Sequence, residues 1–562
     1  MRILMKFKNI SIKNFRNFEN INITLDNKNV FFGMNDVGKT NFLYALRFVF
    51  DRNIRKNNLI DSDFYQKNTD VPVEIIVSID ISDLNDVDSM KLRAKVKGAL
   101  LSSQNVVYIK LIAKYDSTEM IANPILYWGG DLNDLEEIKT RGVFSELDTV
   151  FNVIYIDAYV DLYNLFKKNS AILLKNDKNE DKDTLKHIDD TIVNLNKYIS
   201  SLSGIKSFEN RITPEYNHLK NDNIQVSVKS EIAVKGLYSN VVPYIKQDND
   251  GELYPTSGEG RKKLLVYSIY DLLAEENTIR KINLFLIEEP ENHLHRAMQI
   301  ALSHKIFVDE KYKYTFLTTH SSFILSAMDK VNLIRIFNNT KVNSASSFYK
   351  VPEKYKEQRQ RLNKRLSEAI FADKVLMVEG PSEELLFDKV LSYQNELYQA
   401  EGVYILQVEG VGFKQYIEIL NKLNIECFVK TDNDLKKAND SSYSVLGFSR
   451  INKLVGKNVL PINSVLDNSV ETKRKLYKEN ENALDKIRTE NKIYLSKVSL
   501  EEDLDEVIPN EMKKYLQKDN AVRYLQNSKK YHMVELVDQL TRRDCEKIYN
   551  HYNFACLKDI LK

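Results

Sequence analysis

Three groups of residues in this chain have the types and spacing that chemistry needs. Gly33-Met34-Asn35-Asp36-Val37-Gly38-Lys39-Thr40 fits G-x-x-x-x-G-K-[ST], a loop that wraps the phosphates of a nucleotide. Its glycines let backbone N–H groups close on phosphate oxygens, Lys39 adds a compact positive charge, and Thr40 offers a hydroxyl to Mg2+. The helix opening at Asn41 turns its positive end to the same anion. Further on, Glu288 and Glu289 end the apolar run Leu284-Phe285-Leu286-Ile287. The first carboxylate can hold a Mg2+ shell and the second can orient an attacking water, or the pair can cap the next helix. His320 ends the run Tyr314–Thr319, where it can hydrogen-bond a γ-phosphate. Ser257-Gly258-Glu259-Gly260 precedes a helical stretch and can present a hydroxyl, N–H groups and a positive helix end to an anion, although such turns are common.

The third group is acidic and lies in the C-terminal half. Lys374-Val375-Leu376-Met377-Val378 ends on Glu379 and Gly380, with Glu383 four residues after Glu379. Ile425–Lys430 runs into Thr431-Asp432-Asn433-Asp434. Alternate residues leaving a strand project the same way, so Asp432 and Asp434 can converge on a hard cation. Several such oxygens at sheet ends make a Mg2+ site suited to phosphoryl transfer. Between these acids, Val408-Glu409-Gly410-Val411-Gly412-Phe413 reads as a strand-to-helix turn that brings backbone near that site.

These groups need elements to hold them. Alternation predicts strands at Ile10–Phe18, Ile21–Leu25, Val71–Asp80 and Val106–Ala113, and short apolar runs predict buried strands at Asn29–Phe32 and Val153–Asp157. Helices are expected after Thr40, over Leu264–Leu273 and over Leu385–Leu391. Residues 162–219 turn polar, helical and rich in Lys and Asp, with a charge-dense stretch at 176–186. This insertion reads either as an antiparallel arm for self-association or as a surface excursion. Strand-like material resumes over 224–234. Residues 351–365 carry Lys354, Lys356, Arg359, Arg361, Lys364 and Arg365, a basic connector that touches a DNA backbone or is simply a solvated helix.

The whole chain sets limits. Its 562 residues hold two or more domains, and 43% hydrophobic with 28% charged residues is an ordinary globular composition. A net charge of +2 means that any nucleic-acid site is a local patch. Three scattered cysteines argue against a disulfide framework and for a reducing compartment. No run has membrane-spanning length and no signal core follows the first residues, so a cytoplasmic location without membrane association is expected.

In this order, the motifs of the first half resemble the ABC-type ATPase heads of SMC-like and OLD (overcoming lysogenization defect) proteins. The resemblance implies a composite site in which the phosphate loop of one subunit faces the signature turn of another. It makes Ser257, Gly258 and Gly260 the signature, Glu288 the Mg2+-side acid, Glu289 the catalytic carboxylate and His320 the switch histidine. The signature here reads Ser-Gly-Glu-Gly, where Ser-Gly-Gly is commoner, and the acid pair is Glu-Glu instead of Asp-Glu. No long coiled coil interrupts the head, which excludes a DNA-bridging SMC arm. E-G-x-x-E, G-x-G and D-x-D in the second half resemble the TOPRIM pattern of OLD nucleases, topoisomerases and primases. That likeness implies Glu379 as general acid/base or metal-associated acid, Asp432 and Asp434 as metal ligands, and Glu383 in support. OLD-type sites add a further acid and a lysine. The acid matches Leu500-Glu501-Glu502-Asp503-Leu504, with the choice among Glu501, Glu502 and Asp503 open. The lysine matches Lys529, which reads equally well as an ordinary surface lysine.

The likeness runs through Tyr254–Gly258, Lys430–Leu435, Met533–Val537 and Phe554–Lys558, and within the OLD family it is to Gabija-type anti-phage nuclease subunits. The implied fold is α/β: an ABC-type ATPase head over 1–347, with a helical dimerisation insertion at about 160–225, then a TOPRIM domain with a C-terminal helical extension over 348–562. The implied cofactors are ATP with Mg2+ at the head and Mg2+ or Mn2+ at the TOPRIM site. The implied activity is ATP-regulated nicking of double-stranded DNA. The implied assembly is a homo-oligomer, a dimer of heads extending to a tetramer, with a UvrD-like helicase partner subunit of the GajB type. Two other classes are weighed against it: an ATP-driven DNA clamp with an inert TOPRIM fold, and a primase or topoisomerase. An inert domain need not keep a cluster of mutually repelling carboxylates, which speaks against the clamp.

Overall fold

The structure is a computed structural model. It describes residues 5–34, 37–96, 98–101, 103–141, 144–159, 161–173, 182–219, 227, 244–246, 253–255, 258–278, 280–327, 331–338, 344–350, 365–408, 412–439 and 442–562. The chain divides into two compact units: Met1–Tyr155 with Leu284–Glu291 and Arg296–Lys562, and Ile156–Asn283 with Asn292–His295.

The larger unit contains three main sheets. The first is antiparallel, with strands β1 (Lys6–Phe15), β2 (Phe18–Thr24), β4 (Val73–Asp80), β5 (Val106–Asp116), β6 (Ile121–Asp131) and β7 (Asp134–Glu137) in the order β2-β1-β4-β5-β6-β7. Its register follows the alternation: Ile10 and Ile12 face Ile23 and Ile21 on one side and Val77 and Ile75 on the other, all buried.

The second sheet carries the nucleotide motifs. Strands β3 (Lys28–Phe32), β8 (Phe151–Ile156), β9 (Ile282–Glu288), β10 (Thr315–Thr318), β11 (Asn332–Asn338) and β12 (Ser344–Lys350) run in the order β8-β9-β10-β3-β11-β12. β9, β10, β3 and β11 are parallel, which explains why they read as continuous apolar runs. Helix α1 (Lys39–Phe50) buries Phe42, Leu43, Leu46 and Val49, with the Phe42 ring 4.0 Å from Phe31 of β3. β12 pairs with β11 through Lys350, so this strand crosses the junction expected at 347.

The third sheet is parallel. β13 (Lys374–Val378), β14 (Val403–Gln407), β15 (Glu426–Thr431) and β16 (Ile493–Leu495) take the order β14-β13-β15-β16. Helix α6 (Arg296–Val308) lies between β9 and β10 in the chain, and helix α7 (Pro381–Gln394) follows β13 and shares one core with the C-terminal helices, where Leu386, Phe387 and Val390 meet Met533, Leu536 and Leu557. One side chain ties the second sheet to the third. Arg335 of β11 is buried and donates to the carbonyls of Leu423 (3.3 Å), Asn424 (2.6 Å) and Ala372 (3.3 Å), and to the Asp373 carboxylate. Those acceptors lie at the entries to β13 and β15, the strands that end in the acids.

The smaller unit holds the helices α2 (Leu162–Leu173), α3 (Lys182–Ser200) and α4 (Ser203–Leu219). Helix α5 spans Glu259–Thr278, longer than the apolar periodicity indicated. The Lys262 N–H bonds the Gly258 carbonyl at 3.0 Å, so Gly260 lies within the first turn and not in a preceding loop. Ser257, Asn35, Asp36, Glu409–Val411, the strand expected over 224–234 (Ser227 apart) and nearly all of the basic connector lie outside the described residues.

Candidate active site

At the nucleotide loop the two glycines are required by close approach. Gly33 has φ +146°, and a Cβ there would stand 2.1 Å from the Ile336 carbonyl oxygen. Gly38 has φ +107°, and its Cβ would meet the Asn17 amide at 2.1 Å. Asn17 donates to the Val37 carbonyl (2.8 Å) and accepts from Asn41 (2.9 Å), and the Asn41 side-chain oxygen accepts from Arg16 (2.9 Å). The β1–β2 turn thus braces the C-terminal end of the loop and the start of α1. Lys39 is buried, with its ammonium donating to the carbonyls of Gly33 (3.2 Å) and Met34 (2.7 Å).

The acids meet this loop as their strand-end positions require. The Thr40 hydroxyl donates to one Glu288 oxygen and the Tyr155 hydroxyl, from β8, donates to the other. Arg47 lies over the Tyr155 ring, 3.7 Å from its centroid. Glu289 takes a left-handed φ of +40° and sits 3.4 Å from His320 Nε2. Burial, and then the nearby Lys39 charge, lower the His320 pKa from its usual 6.5 against the pull of Glu289. Glu291 is half-buried and accepts from the Thr319 hydroxyl (2.9 Å) and the His320 N–H (2.6 Å), and desolvation raises its pKa. Carboxylate and hydroxyl oxygens beside a lysine at a helix start suit a nucleotide with its Mg2+. Gly258 and Gly260 belong to the smaller unit.

The downstream acids gather around Asp432. Its carboxyl is raised well above the usual range, by burial first and then by the negative charges of Glu383, Glu379, Asp434 and Glu501. Four elements deliver these groups. Glu379 leaves β13, and one of its oxygens accepts from the Thr431 hydroxyl (2.5 Å) and the Asp432 N–H (3.0 Å). Glu383 lies in the first turn of α7, where Pro381 opens the helix, and its oxygen sits 3.1 Å from where a Cβ on Gly380 would be. Asp432 and Asp434 leave β15, with the turn pinned by Asn433, whose side-chain amide donates to the carbonyls of Lys473 and Lys497 (3.1 Å each). Glu501 comes from α10 (Leu500–Val507), buried and accepting from the Ser499 hydroxyl at 2.9 Å.

The other acids of α10 face elsewhere. Asp503 forms a buried ion pair with Lys430 (3.1 Å) and accepts from the Lys497 N–H (3.0 Å). Glu502 lies 3.7 Å from Arg474, with burial raising its pKa. Lys529 opens the helix Lys529–Gln539, and its side chain lies outside the described residues.

Several residues here had no motif to announce them. Arg450, on helix α9 (Leu446–Val455), bonds Glu379 and Thr431 and reaches Asp434 at 3.4 Å. Only the general need of clustered carboxylates for a cation pointed to such a group. Gly447 brings α9 against the acid turn: a Cβ there would stand 2.8 Å from the Asp432 carbonyl oxygen. The donor set fits a hard divalent cation in kind, being all carboxylate oxygen. Among the described residues, no three acidic, histidine or cysteine side chains stand at coordinating spacing, and the cation between Glu379 and Asp434 is the Arg450 guanidinium.

Comparison with known proteins finds two domain families in the chain. A family model described as an AAA ATPase domain matches residues 5–325, and one described as the overcoming lysogenization defect protein-like TOPRIM domain matches residues 370–434. The chain is 44% identical to Endonuclease GajA of Bacillus cereus (strain VD045) over 574 residues, covering 99% of each chain. It is 22% identical to Endonuclease GajA of Bacillus cereus (strain HuB5-5) over 426 residues, covering 66% of this chain and 60% of that one. Among solved structures, an SMC head bound to the C-terminal winged-helix domain of ScpA aligns with 62% of this chain and 99% of its own at 13% identity. Its TM-score of 0.36 is too low to bear on the fold. An AAA ATPase domain followed by an OLD-like TOPRIM domain, with near-complete coverage by a relative at this identity, places the chain in the OLD family as a GajA-type member.

Proposed function

We propose that the chain is a metal-dependent DNA endonuclease that nicks double-stranded DNA under the control of its ATP-binding head, in anti-phage defence. The observation that carries this reading is the convergence of Glu379, Glu383, Asp434 and Glu501 on a buried Asp432 at the ends of a parallel sheet. Such a cluster costs stability, and groups perturbed in this way concentrate at functional sites. Glu379, Asp432, Asp434 and Glu501 would hold Mg2+ or Mn2+, which when bound supplies an activated water and neutralises charge on the reacting phosphate. The protein's own part is to fix those oxygens: Thr431 and the Asp432 N–H orient Glu379, Asn433 pins the aspartate turn, and Gly447 admits α9 beside it.

At the head, Lys39, Thr40 and Glu288 would bind ATP with Mg2+, with Glu289 and His320 facing the terminal phosphate and Gly258 and Gly260 reading the nucleotide of a second subunit. Head pairing in turn supports a homo-oligomer, with the helical insertion as a second self-contact and a UvrD-like helicase as partner. Arg335 supports a gating role, since it joins the strand beside the phosphate loop to the entries of both acid-bearing strands.

Supercoiled plasmid incubated with Mg2+ or Mn2+, with and without ATP, tests the reading. Wild type should convert it to the open circle, and Lys39→Ala should change the influence of ATP more than nicking itself. An intact plasmid under every condition defeats the nuclease. ATP-dependent DNA retention without cleavage would favour the clamp, and a covalent protein–DNA adduct a topoisomerase.

A further inference from the structure

Arg450 stands between two environments. On one side it bonds Glu379 and reaches Asp434, the acids read above as metal ligands. On the other it lines a cavity of about 330 Å3 whose walls include Lys414, Lys453 and Phe413. Lys414 follows Phe413 at the start of α8 (Phe413–Lys422), and Lys453 lies three residues after Arg450 on α9, on the same helix face. Both lysines are exposed and have no carboxylate partner among the described residues. A cavity with three cations at its walls, opening beside an acid cluster, suits an anion. Glu379 also lines the cavity, and Arg450 is the cation that joins it to the acid cluster. An oxygen of Glu379 or Asp434 that bonds the guanidinium is not free for a metal, so guanidinium and metal compete for the same carboxylates. A guanidinium released from them has the cavity within reach and a planar fork matched to phosphate oxygens.

We propose that Arg450 is a phosphate-binding residue of the cleavage site, held by Glu379 and Asp434 in competition with metal, and that the cavity it shares with Lys414 and Lys453 takes a backbone phosphate of DNA. This rests on the nuclease reading. It adds an ordering to it: metal loading frees the arginine that grips the substrate, so metal and DNA bind cooperatively.

The full-length protein tests this with Arg450→Gln, Arg450→Lys and Lys453→Gln. Mn2+ affinity is read by electron paramagnetic resonance of the free ion, and affinity for a short duplex by fluorescence anisotropy in Ca2+ over a salt series. Arg450→Gln should bind Mn2+ about fivefold more tightly, the worth of one partly exposed ion pair. The same variant should bind duplex more weakly, with a log–log salt slope smaller by about one. Arg450→Lys should fall between. Lys453→Gln, at an exposed position, should lose salt slope with Mn2+ affinity unchanged. Unaltered or weaker Mn2+ binding by Arg450→Gln would overturn the competition. Unaltered duplex affinity and salt slope in both Gln variants, or restoration of neither by Arg450→Lys, would overturn the phosphate role. If wild type nicks no DNA yet Arg450→Gln still tightens Mn2+, the nuclease reading has failed and the competition stands.

Discussion

The Lys430–Asp503 pair separates structural acids from chemical ones. Both side chains are almost fully buried, at 2% and 1% exposure, with nitrogen and oxygen 3.1 Å apart. Lys430 also donates to the Asn553 carbonyl at 2.9 Å. Lys430→Met strands a carboxylate in the core, a loss of about 3–5 kcal/mol for a buried pair broken on one side. The loss should depend on pH. Burial already holds the Asp503 carboxyl above its ordinary 3.8, against the pull of Lys430. An acid raised in the fold binds more protons folded than unfolded, so its contribution to stability falls as pH rises from 3.8 through the folded pKa. Without Lys430 that window extends upward, and the variant should be penalised more at pH 8 than at pH 5. Lys430→Met with Asp503→Leu removes both charges and should recover part of the loss, leaving about 2 kcal/mol for the unmet Asn553 carbonyl and Lys497 N–H. Native-state hydrogen exchange over β15 and α10 reads these local opening energies without assuming two-state unfolding. A double variant no more protected than the single one refutes the ion-pair account. A well-protected double variant that has lost nicking would move Asp503 into the metal site.

Other consequences follow from single contacts. Gly447→Ala puts a Cβ 2.8 Å from the Asp432 carbonyl oxygen and 3.1 Å from the Asn433 Cα, both backbone atoms. It should cost about 1–3 kcal/mol as overpacking and slow nicking out of proportion to stability, seen by comparing thermal midpoint with initial rate. Arg335→Leu leaves the carbonyls of Leu423, Asn424 and Ala372 unmet, which should cost about 2–3 kcal/mol and weaken the effect of ATP on nicking. His320 has its pKa lowered below 6.5, so the fold binds fewer protons than the unfolded chain and loses stability as pH drops below that value. Thermal midpoints between pH 7.5 and 5.5 should therefore fall less steeply in His320→Gln than in wild type.

What could be read from the sequence was what local chemistry dictates. Gly33 and Gly38 are demanded by positive φ and close approach, Lys39 and Thr40 by the ligand, and the parallel strands by unbroken apolar runs. Helix α5 begins before the expected Leu264–Leu273 because Glu259-Gly260-Arg261-Lys262-Lys263 has no apolar period to announce it. Tyr155, Glu291, Gly447 and Arg450 were silent because their partners arrive from other parts of the chain. The choice among Glu501, Glu502 and Asp503 was undecidable for a related reason. Consecutive helix positions turn by about 100°, so one residue of shift decides between the Asp432 cluster, Arg474 and Lys430, and only the packed sheet sets the rotation.

Asp432→Asn tests the central claim most directly, because it keeps the shape of the cluster and removes the charge at its centre. The variant should fold with a thermal midpoint at neutral pH no lower than wild type, since the raised carboxyl it removes costs stability above its unfolded pKa. With Mg2+ or Mn2+ its nicking of supercoiled plasmid should fall by at least about a hundredfold. A folded Asp432→Asn protein that nicks at the wild-type rate would contradict the account.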